Sequence, residues 1–492
     1  MSDEQQIRLR DGEARELARS SFEHPIVLEA GAGTGKTATL VARVLTWCLG
    51  PGWARAAEDL TISRGGDADA RIFADEVAVR VADRIAAITF TERAAAEMKE
   101  RIARGFAAVL RGEGIVGLEL ERFEEPLEIL TVRAKHLLAV LDHFFVGTIH
   151  AFCRRLLAQY ALPAGVHPGF VVDADEGMSN SLIEDVLADR LQEVYGDPGD
   201  ENLLALAAMG WGPAEIVEAL GELIRGGVPA EALAHDPYAP ELVKQAASEL
   251  AAPLEAFIGL AAGPLAEGKG NLNAARSVLE ALGTLATRLA NVSEAGELRD
   301  LALEVDVKRL REWGEGKLNK TESKALAGIE DEVQAAAAPL AARIRHLQSL
   351  DPDLLPRACV ALRELLGNVQ ARLRAEGIET FAALLRDTRD LLAGDEVLRG
   401  HVRQRFDQLL VDEFQDTDPV QYEIIEYLAL DGPSFERPGL FLIGDPKQSI
   451  YGWRGADLGA YARFIARVKD EGGEIHSLQV NFRSVPAILS EV

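Results

Sequence analysis

The segment at residues 27–37, VLEAGAGTGKT, constrains the fold of this chain more than any other feature. The segment begins with an apolar run, and apolar residues at helical spacing follow its last residue. Glycine lets successive backbone N–H groups curl around phosphate oxygens, and the first turn of a helix adds a favourable dipole. A lysine at this place reaches the β- and γ-phosphates, and the threonine hydroxyl is a ligand for Mg²⁺. The segment predicts a strand–loop–helix unit that binds phosphate through Ala30, Gly31, Ala32, Gly33, Thr34, Gly35, Lys36 and Thr37.

Short apolar runs, each followed by a polar or glycine-rich turn, recur along the chain. Runs of this kind are typical of strands that are buried on both faces of a parallel sheet. Helix-period segments follow the first two, so the layout is α/β, and ligands of such sheets collect at the carboxyl ends of the strands. We therefore predict the parallel sheet of a P-loop NTPase (RecA-like) domain, with strands at 26–28, 85–90, 144–146, 409–411 and 440–443.

The middle of the chain, residues 175–375, is rich in Ala, Leu and Glu and predicts a large inserted all-helical domain. The predicted domains are 1–174 and 376–472 for the two parts of a first motor domain, and 473–492 for the start of a second. Residues 53–75 are predicted to form a surface loop. Helix breakers are expected at Gly210, Pro213, Pro229, Pro253 and Pro339.

The composition excludes several classes of protein. Lys and Arg number 52 against 79 Asp and Glu, and the net charge of −27 argues against coating duplex DNA by charge alone. A groove that holds a single strand by stacking needs only a few local positive charges. Cys48, Cys153 and Cys359 lie far apart, which indicates neither a disulfide framework nor a metal cluster. No apolar run approaches the ~18 residues of a membrane span and no signal peptide is visible, so we expect a cytoplasmic protein without a membrane partner.

An acidic pair follows the apolar run in residues 408–421, QLLVDEFQDTDPVQ. A P-loop ATPase needs a carboxylate near Mg²⁺ and a base that orients the attacking water. Asp412 fits the first role and Glu413 the second. Taken alone, an acidic pair after a strand is also compatible with a solvated turn.

A third polar turn lies in residues 440–457, LFLIGDPKQSIYGWRGAD. Gln448 is a neutral donor and acceptor that suits contact with the terminal phosphate. Tyr451, Trp453 and Arg454 suit stacking on unpaired bases. Spacing alone leaves core packing of Tyr451 and Trp453 equally open.

Together these segments resemble the ordered motifs of the UvrD-like superfamily 1 DNA helicases, and most of all their helicase–nuclease branch (the AddA and RecB type). Four further segments contribute to the resemblance: ITFTERAAAEMKERI at 88–102, VGTIHAFCRRLL at 146–157, TFAALL at 380–385 and LQVNFRS at 478–484. The family implies an ATP- and Mg²⁺-dependent motor that moves 3′ to 5′ along single-stranded DNA, from duplex ends, in repair or recombination. A second helicase–nuclease subunit is an implied partner.

The resemblance also assigns roles to single residues. It implies that Lys36, Asp412, Glu413, Gln448 and Arg483 are catalytic, with Arg483 facing the γ-phosphate. Thr37 and Asp412 then bind Mg²⁺, and Phe482 stacks on adenine. A single-strand path is implied for Phe90, Thr91, Thr148, His150, Phe152, Tyr451, Trp453 and Arg454. Considered alone, His150 is also compatible with a core histidine and Arg483 with a surface ion pair.

Several departures from the family pattern bear on function. Ala30 stands where the phosphate loop usually begins with glycine, Ala38 stands where an arginine is common, and Gln5 and Gln6 lie too far upstream to read adenine. Because the later family motifs do not follow Arg483, we expect either the front part of a longer protein or a truncated product. Two other functions stay open: an ATP- and DNA-binding fragment without turnover, and a P-loop regulatory or scaffold ATPase.

Overall fold

The computed structural model describes residues 3–64, 72–194, 201–448 and 457–482. The chain divides into two compact units, one formed by Met1–Ala174 with Glu376–Val492 and the other by Asp175–Ala375.

The first unit is an α/β domain built from two separate stretches of the chain, one before and one after the second unit. Its first part contains α1 (Asp3–Ser20), β1 (Ile26–Ala30), α2 (Lys36–Leu49), α3 (Pro51–Ser63), α4 (Ala74–Asp83), β2 (Ile85–Thr89), α5 (Glu92–Leu110), α6 (Leu127–Ala139), β3 (Phe145–Thr148), α7 (Ile149–Gln159), α8 (Ala161–Ala164) and β4 (Val171–Val172).

The regular elements described in the second unit are all helices. Its helices are α9 (Gly177–Val194), α10 (Glu201–Ala208), α11 (Pro213–Arg225), α12 (Pro240–Glu267), α13 (Asn273–Leu289), α14 (Ala295–Leu303), α15 (Val307–Gly314), α16 (Lys320–Ala325), α17 (Glu330–Gln348) and α18 (Leu354–Glu376).

The chain then returns to the first unit. The returning elements are β5 (Ile378–Glu379), α19 (Phe381–Gly394), α20 (Glu396–Arg403), β6 (Gln408–Val411), α21 (Pro419–Ala429), β7 (Gly439–Gly444), α22 (Leu458–Asp470) and β8 (Glu474–Leu478).

Six of the strands form one sheet in the order β3-β2-β6-β7-β1-β8, and every neighbouring pair in it is parallel. Side chains alternate between two apolar layers: Phe441 and Ile443 of β7 pack on one face, and Leu440 and Leu442 on the other. Burial on both faces explains the continuous apolar runs. The prediction of a parallel sheet is confirmed.

Two boundary predictions are wrong. Residues 53–63, predicted as loop, belong to helix α3, which begins at Pro51 and buries Ala56. Proline suits the first helical position because its missing N–H needs no partner there. Strand β8 falls within the residues predicted to start a second motor domain, yet Glu474–Leu478 pair with β1 in the first sheet.

The helices of the second unit enclose a core of their own. Gly210, Pro213 and Pro229 lie at or beyond helix ends, whereas Pro253 and Pro339 lie inside α12 and α17, contrary to the expected breaks. A proline inside a helix removes one backbone hydrogen bond, a cost that packing of the neighbouring turns can offset.

Helix α12 is, among the described helices, the one that is long and apolar enough by length and composition to cross a membrane. The bent pair α10 and α11 also passes that test if it is taken as one span. In this fold α12 buries Leu254, Phe257 and Ala261 in the core of the second unit.

Candidate active site

All six strands of the main sheet end at one edge, which we call the carboxyl edge. The predicted phosphate loop follows β1, Asp412 and Glu413 follow β6, and Asp445 with Gln448 follows β7. Strand β7 lies between β6 and β1, so these three turns are neighbours. The turns after β2 and β3, which carry the predicted DNA contacts, continue the same edge beyond β6.

The phosphate loop joins β1 to α2 and depends on two glycines with left-handed backbones. Gly33 has φ 79° and Gly35 has φ 87°, a region that glycine enters without steric cost. Thr34 closes the turn, because its hydroxyl donates to the carbonyl oxygen of Gly31 at 2.7 Å. The first helical residue is Lys36, so the backbone N–H groups at the start of α2 adjoin the loop.

Lys36 and Glu413 form an ion pair, with 2.6 Å between Nζ and Oε2. This contact joins the loop after β1 to the acidic pair after β6. Glu413 has φ 50°, one of two positive φ values among the described residues other than glycine. Such a backbone costs about 1–3 kcal/mol and concentrates at functional sites.

Asp412 lies at the end of β6, where its backbone N–H donates to the carbonyl oxygen of Ile88 at 2.9 Å. Burial, and then the negative charge of Glu413, raise the pKa of Asp412 to about 6. The pKa of Asp416 is raised to about 6 by the same two causes. Carboxyls with strongly shifted pKa values are common at functional sites.

Gln448 is held by Asp445 on the neighbouring turn. Its Nε2 donates to Asp445 Oδ2 at 2.7 Å, and its backbone N–H donates to the carbonyl oxygen of Asp445 at 2.8 Å. An added Cβ at Gly31 would lie 3.6 Å from Asp445 Oδ2, so this turn borders the phosphate loop.

Phe482 also contacts the phosphate loop. Its backbone N–H donates to the carbonyl oxygen of Gly33 at 2.8 Å, and its ring is 70% exposed. The amide of Asn481 donates to the carbonyl oxygen of Ala32 at 2.9 Å. The residues that follow β8 are therefore tied directly to the loop.

Arg15 and Asp11 of helix α1 also contact the site, although no sequence motif marks them. Arg15 donates to the carbonyl oxygen of Thr34 at 2.6 Å and stacks over the ring of Phe482, with 5.2 Å to its centroid. Asp11 pairs with Arg15 and also accepts the backbone N–H of Gln479 at 2.7 Å. These contacts come from tertiary packing and have no local sequence signal.

A cavity of about 310 Å³ opens beside these residues. Its wall combines the exposed ring of Phe482 with charged side chains, small apolar residues and two glycines, one of which, Gly12, belongs to α1. The lining includes Gly12, Arg15, Glu16, Arg19, Thr39, Arg122 and Phe482.

Thr91 and Thr148, both predicted DNA contacts, are the N-caps of α5 and α7. Their hydroxyls accept the backbone N–H groups of Ala94 and Ala151, at 3.1 and 3.2 Å. Thr148 also donates to Glu92 Oε1 at 2.8 Å. Both threonines therefore stabilise the first turn of a helix, and both helices begin at the carboxyl edge. Phe90, half-buried, directly precedes Thr91.

The two aromatic residues predicted on α7 differ in exposure. The ring of Phe152 is 2% exposed and packs against Phe145 and Phe406. A ring in the core is not accessible for stacking, so the DNA contact predicted for Phe152 is wrong in this structure. His150 is half-buried, meets the ring of Phe381 edge-on at 4.9 Å, and has a pKa lowered by burial.

Four predicted residues, Tyr451, Trp453, Arg454 and Arg483, lie outside the described residues.

Comparison with known proteins agrees with this arrangement. Residues 11–200 and 270–469 match the model of the UvrD/REP helicase N-terminal domain. Similar proteins include the ATP-dependent helicase/nuclease subunit of the AddA type from Geobacillus thermodenitrificans (strain NG80-2), which is 29% identical over 94% of this chain and 37% of its own length. The RecBCD enzyme subunit RecB of Escherichia coli (strain K12) is 27% identical over 95% of this chain and 37% of its own length. This chain thus spans somewhat more than a third of these relatives, and it belongs to the UvrD/REP helicase N-terminal domain family.

Proposed function

We propose that this chain is the ATP-driven motor part of a DNA helicase that moves along single-stranded DNA in repair or recombination. The observation that supports this most is the contact between Lys36 and Glu413, because it joins a phosphate loop to a candidate base at one sheet edge. Asp445 and Gln448 stand on the neighbouring turn.

In this proposal the triphosphate of ATP lies along the loop from Ala30 to Thr37. Lys36 exchanges its contact with Glu413 for the β- and γ-phosphates. Glu413 then accepts the proton of the attacking water, and Gln448 contacts the γ-phosphate. Electrostatic stabilisation by fixed donors is the main source of rate in such reactions. Arg483 retains its proposed place opposite the γ-phosphate.

Mg²⁺ is proposed to bind the hydroxyl of Thr37 and the carboxylate of Asp412. Hard oxygen ligands suit this cation, and the raised pKa of the buried Asp412 carboxyl indicates a group that a cation would stabilise. When bound, Mg²⁺ neutralises charge that develops on the phosphate oxygens.

The nucleobase is proposed to enter the cavity beside Phe482. An exposed aromatic ring and the guanidinium of Arg15 offer a stacking surface there. The lining also includes the charged side chains of Glu16, Arg19 and Arg122, which offer a hydrogen-bond acceptor and donors to the edge of a base.

Single-stranded DNA is proposed to follow the turns after β2 and β3 and the segment after Gln448. Helix N-termini there offer backbone N–H groups to phosphates. Phe90, Thr91, Thr148 and His150 retain proposed contacts, as do Tyr451, Trp453 and Arg454.

The Geobacillus relative is named as a subunit of an ATP-dependent helicase/nuclease and the Escherichia coli relative as a subunit of the RecBCD enzyme, and this chain covers 37% of the length of each. We propose that the protein acts at duplex ends, moves 3′ to 5′, works in the cytoplasm and pairs with a second helicase–nuclease subunit.

The test compares ATP hydrolysis by this chain with and without single-stranded DNA. DNA is expected to raise kcat, and Lys36→Ala to lower it by at least about 100-fold, because a charge that stabilises the transferred phosphate is lost. Lys308→Ala, on α15 of the second unit, is the matched control and should leave kcat unchanged. Hydrolysis that is insensitive to Lys36→Ala would refute the site.

A further inference from the structure

A buried glutamine, Gln415, connects the turns after β6 and β7. Its side chain is 2% exposed. Its Nε2 donates to Glu413 Oε2 at 3.0 Å and to Asp416 Oδ2 at 3.1 Å, and its Oε1 accepts the backbone N–H of Asp445 at 2.8 Å. A backbone N–H only donates, so the oxygen of this amide must face Asp445 and the nitrogen must face the two carboxylates.

In these contacts, two hydrogen-bond donors share one carboxylate oxygen of Glu413. Oε2 receives Lys36 Nζ at 2.6 Å and Gln415 Nε2 at 3.0 Å. Within the part of the chain that the structure describes, Oε1 receives no side-chain hydrogen bond, so it is the oxygen available to a water. Because the backbone of Glu413 is left-handed, no regular helix or strand orients this side chain. When Lys36 leaves Glu413 to contact a phosphate, the hydrogen bond from Gln415 still holds the Glu413 side chain in place.

The same amide reaches the turn that carries Gln448. Asp445 presents its backbone N–H to Gln415 and its Oδ2 to Gln448 Nε2. Gly444 makes this approach possible, because an added Cβ there would collide with Gln415 Oε1 and lie 3.2 Å from the backbone nitrogens of Phe414 and Gln415. A displacement of the turn after β7 is thus transmitted to Glu413 through one side chain.

We propose that Gln415 is a positioning residue: it orients Glu413 for activation of water and makes that orientation depend on the Asp445–Gln448 turn. This inference rests on the proposed function of the site. A hydrogen bond to a charged group contributes more than one between neutral groups, so its loss is expected to affect a base strongly.

The test is Gln415→Met, which keeps the length of the side chain and removes both the donor and the acceptor. We expect kcat for DNA-stimulated ATP hydrolysis to fall at least about 30-fold, with KM for ATP changed less than about threefold, because the phosphate loop is untouched. The matched control is Gln421→Met. Gln421 is a half-buried glutamine on α21 that donates to Asp418 Oδ2 at 2.7 Å, outside this network.

A double-mutant cycle separates positioning from a structural role. If Gln415 acts through Glu413, then Gln415→Met added to Glu413→Gln should lower kcat by less than about threefold further. Should Gln415→Met fail to fold, Gln415→Asn serves in its place. Its amide is one methylene shorter and cannot reach Glu413 and the Asp445 N–H together, so kcat should still fall while the polarity of the site is kept.

The outcomes are distinct. Unchanged kcat in Gln415→Met, or a further loss of about 30-fold in the Glu413→Gln background, would overturn the inference and leave the proposed function standing. A wild-type chain without any hydrolysis of ATP would overturn the proposed function, and the role of Gln415 with it.

Discussion

Replacing Asp412 with asparagine is expected to stabilise the first unit at neutral and alkaline pH. Burial and the charge of Glu413 raise the pKa of Asp412 from an ordinary 3.8 to about 6. The folded chain then binds this proton more tightly than the unfolded chain, so the free energy of unfolding falls as pH rises from about 4 through 6. At 1.36 kcal/mol for each tenfold difference in proton affinity, the ionised carboxylate costs about 3 kcal/mol at pH 8.

Asparagine does not titrate and still offers Oδ1 to the backbone N–H of Glu413, which bonds to it at 3.0 Å. Asp412→Asn should therefore gain about 3 kcal/mol over wild type at pH 8 and about half of that at pH 5. Hydrogen exchange of the peptide that carries β6, without Mg²⁺ or nucleotide, measures this opening free energy. The variant is also expected to lose Mg²⁺-dependent hydrolysis, because a metal ligand is removed.

The control is Asp142→Asn. Asp142 is exposed, and its hydrogen bond to Lys99 lowers its pKa, so its removal should bring no gain at pH 8. A gain from Asp412→Asn that is equal at both pH values, or absent at pH 8, would refute the reasoning that the buried charge destabilises the fold.

Three further changes test the site. Gly35→Ala should weaken ATP binding, measured by calorimetry, about tenfold, because an alanine at φ 87° costs about 1–2 kcal/mol. The control Gly259→Ala, where an added Cβ on α12 meets no other atom, should leave the Kd for ATP unchanged. Phe482→Ala should raise the Kd for ATP by about 5- to 150-fold, since one stacked base contributes about 1–3 kcal/mol. Binding of pyrophosphate should not change, and an unchanged Kd for ATP would exclude the stack. Thr148→Val should lower the unfolding temperature by about 2–4 °C, because the N-cap of α7 is lost, and an unaltered melting curve would show that the cap contributes nothing.

Local pattern predicted the elements that carry the chemistry. The strands β1, β2, β3, β6 and β7 are continuous apolar runs because both faces of the sheet are covered, and each lies where the sequence predicted it, within a residue or two. The contact between Lys36 and Glu413 follows from that arrangement, because parallel strands end at one edge.

What the sequence did not reveal depends on packing. Strand β8 reads EIHSL, without an apolar run, because an edge strand has fewer buried positions. Arg15 reaches the phosphate loop only because α1 packs beside it. Its motif assigns Phe152 to the DNA path, yet this residue lies on the apolar stripe that Ile149, Cys153 and Leu156 form along α7, and Phe145 and Phe406 enclose its ring. Periodicity gives no signal for the pairing of β8 or for the contact of Arg15, whereas it does indicate the buried side of α7.

The strand order also has a consequence for biosynthesis. Ile26 of β1 pairs with Phe441 and with Glu474, so β1 has no neighbour until residues beyond 440 leave the ribosome. At about 5–20 residues per second that interval lasts roughly 20–80 s. Strands β2 and β3 can associate early, while β1 has no strand neighbour throughout that interval, and an unpaired strand edge is prone to aggregation. Translation of this polypeptide is therefore expected to depend on chaperones that shield the nascent amino-terminal segment.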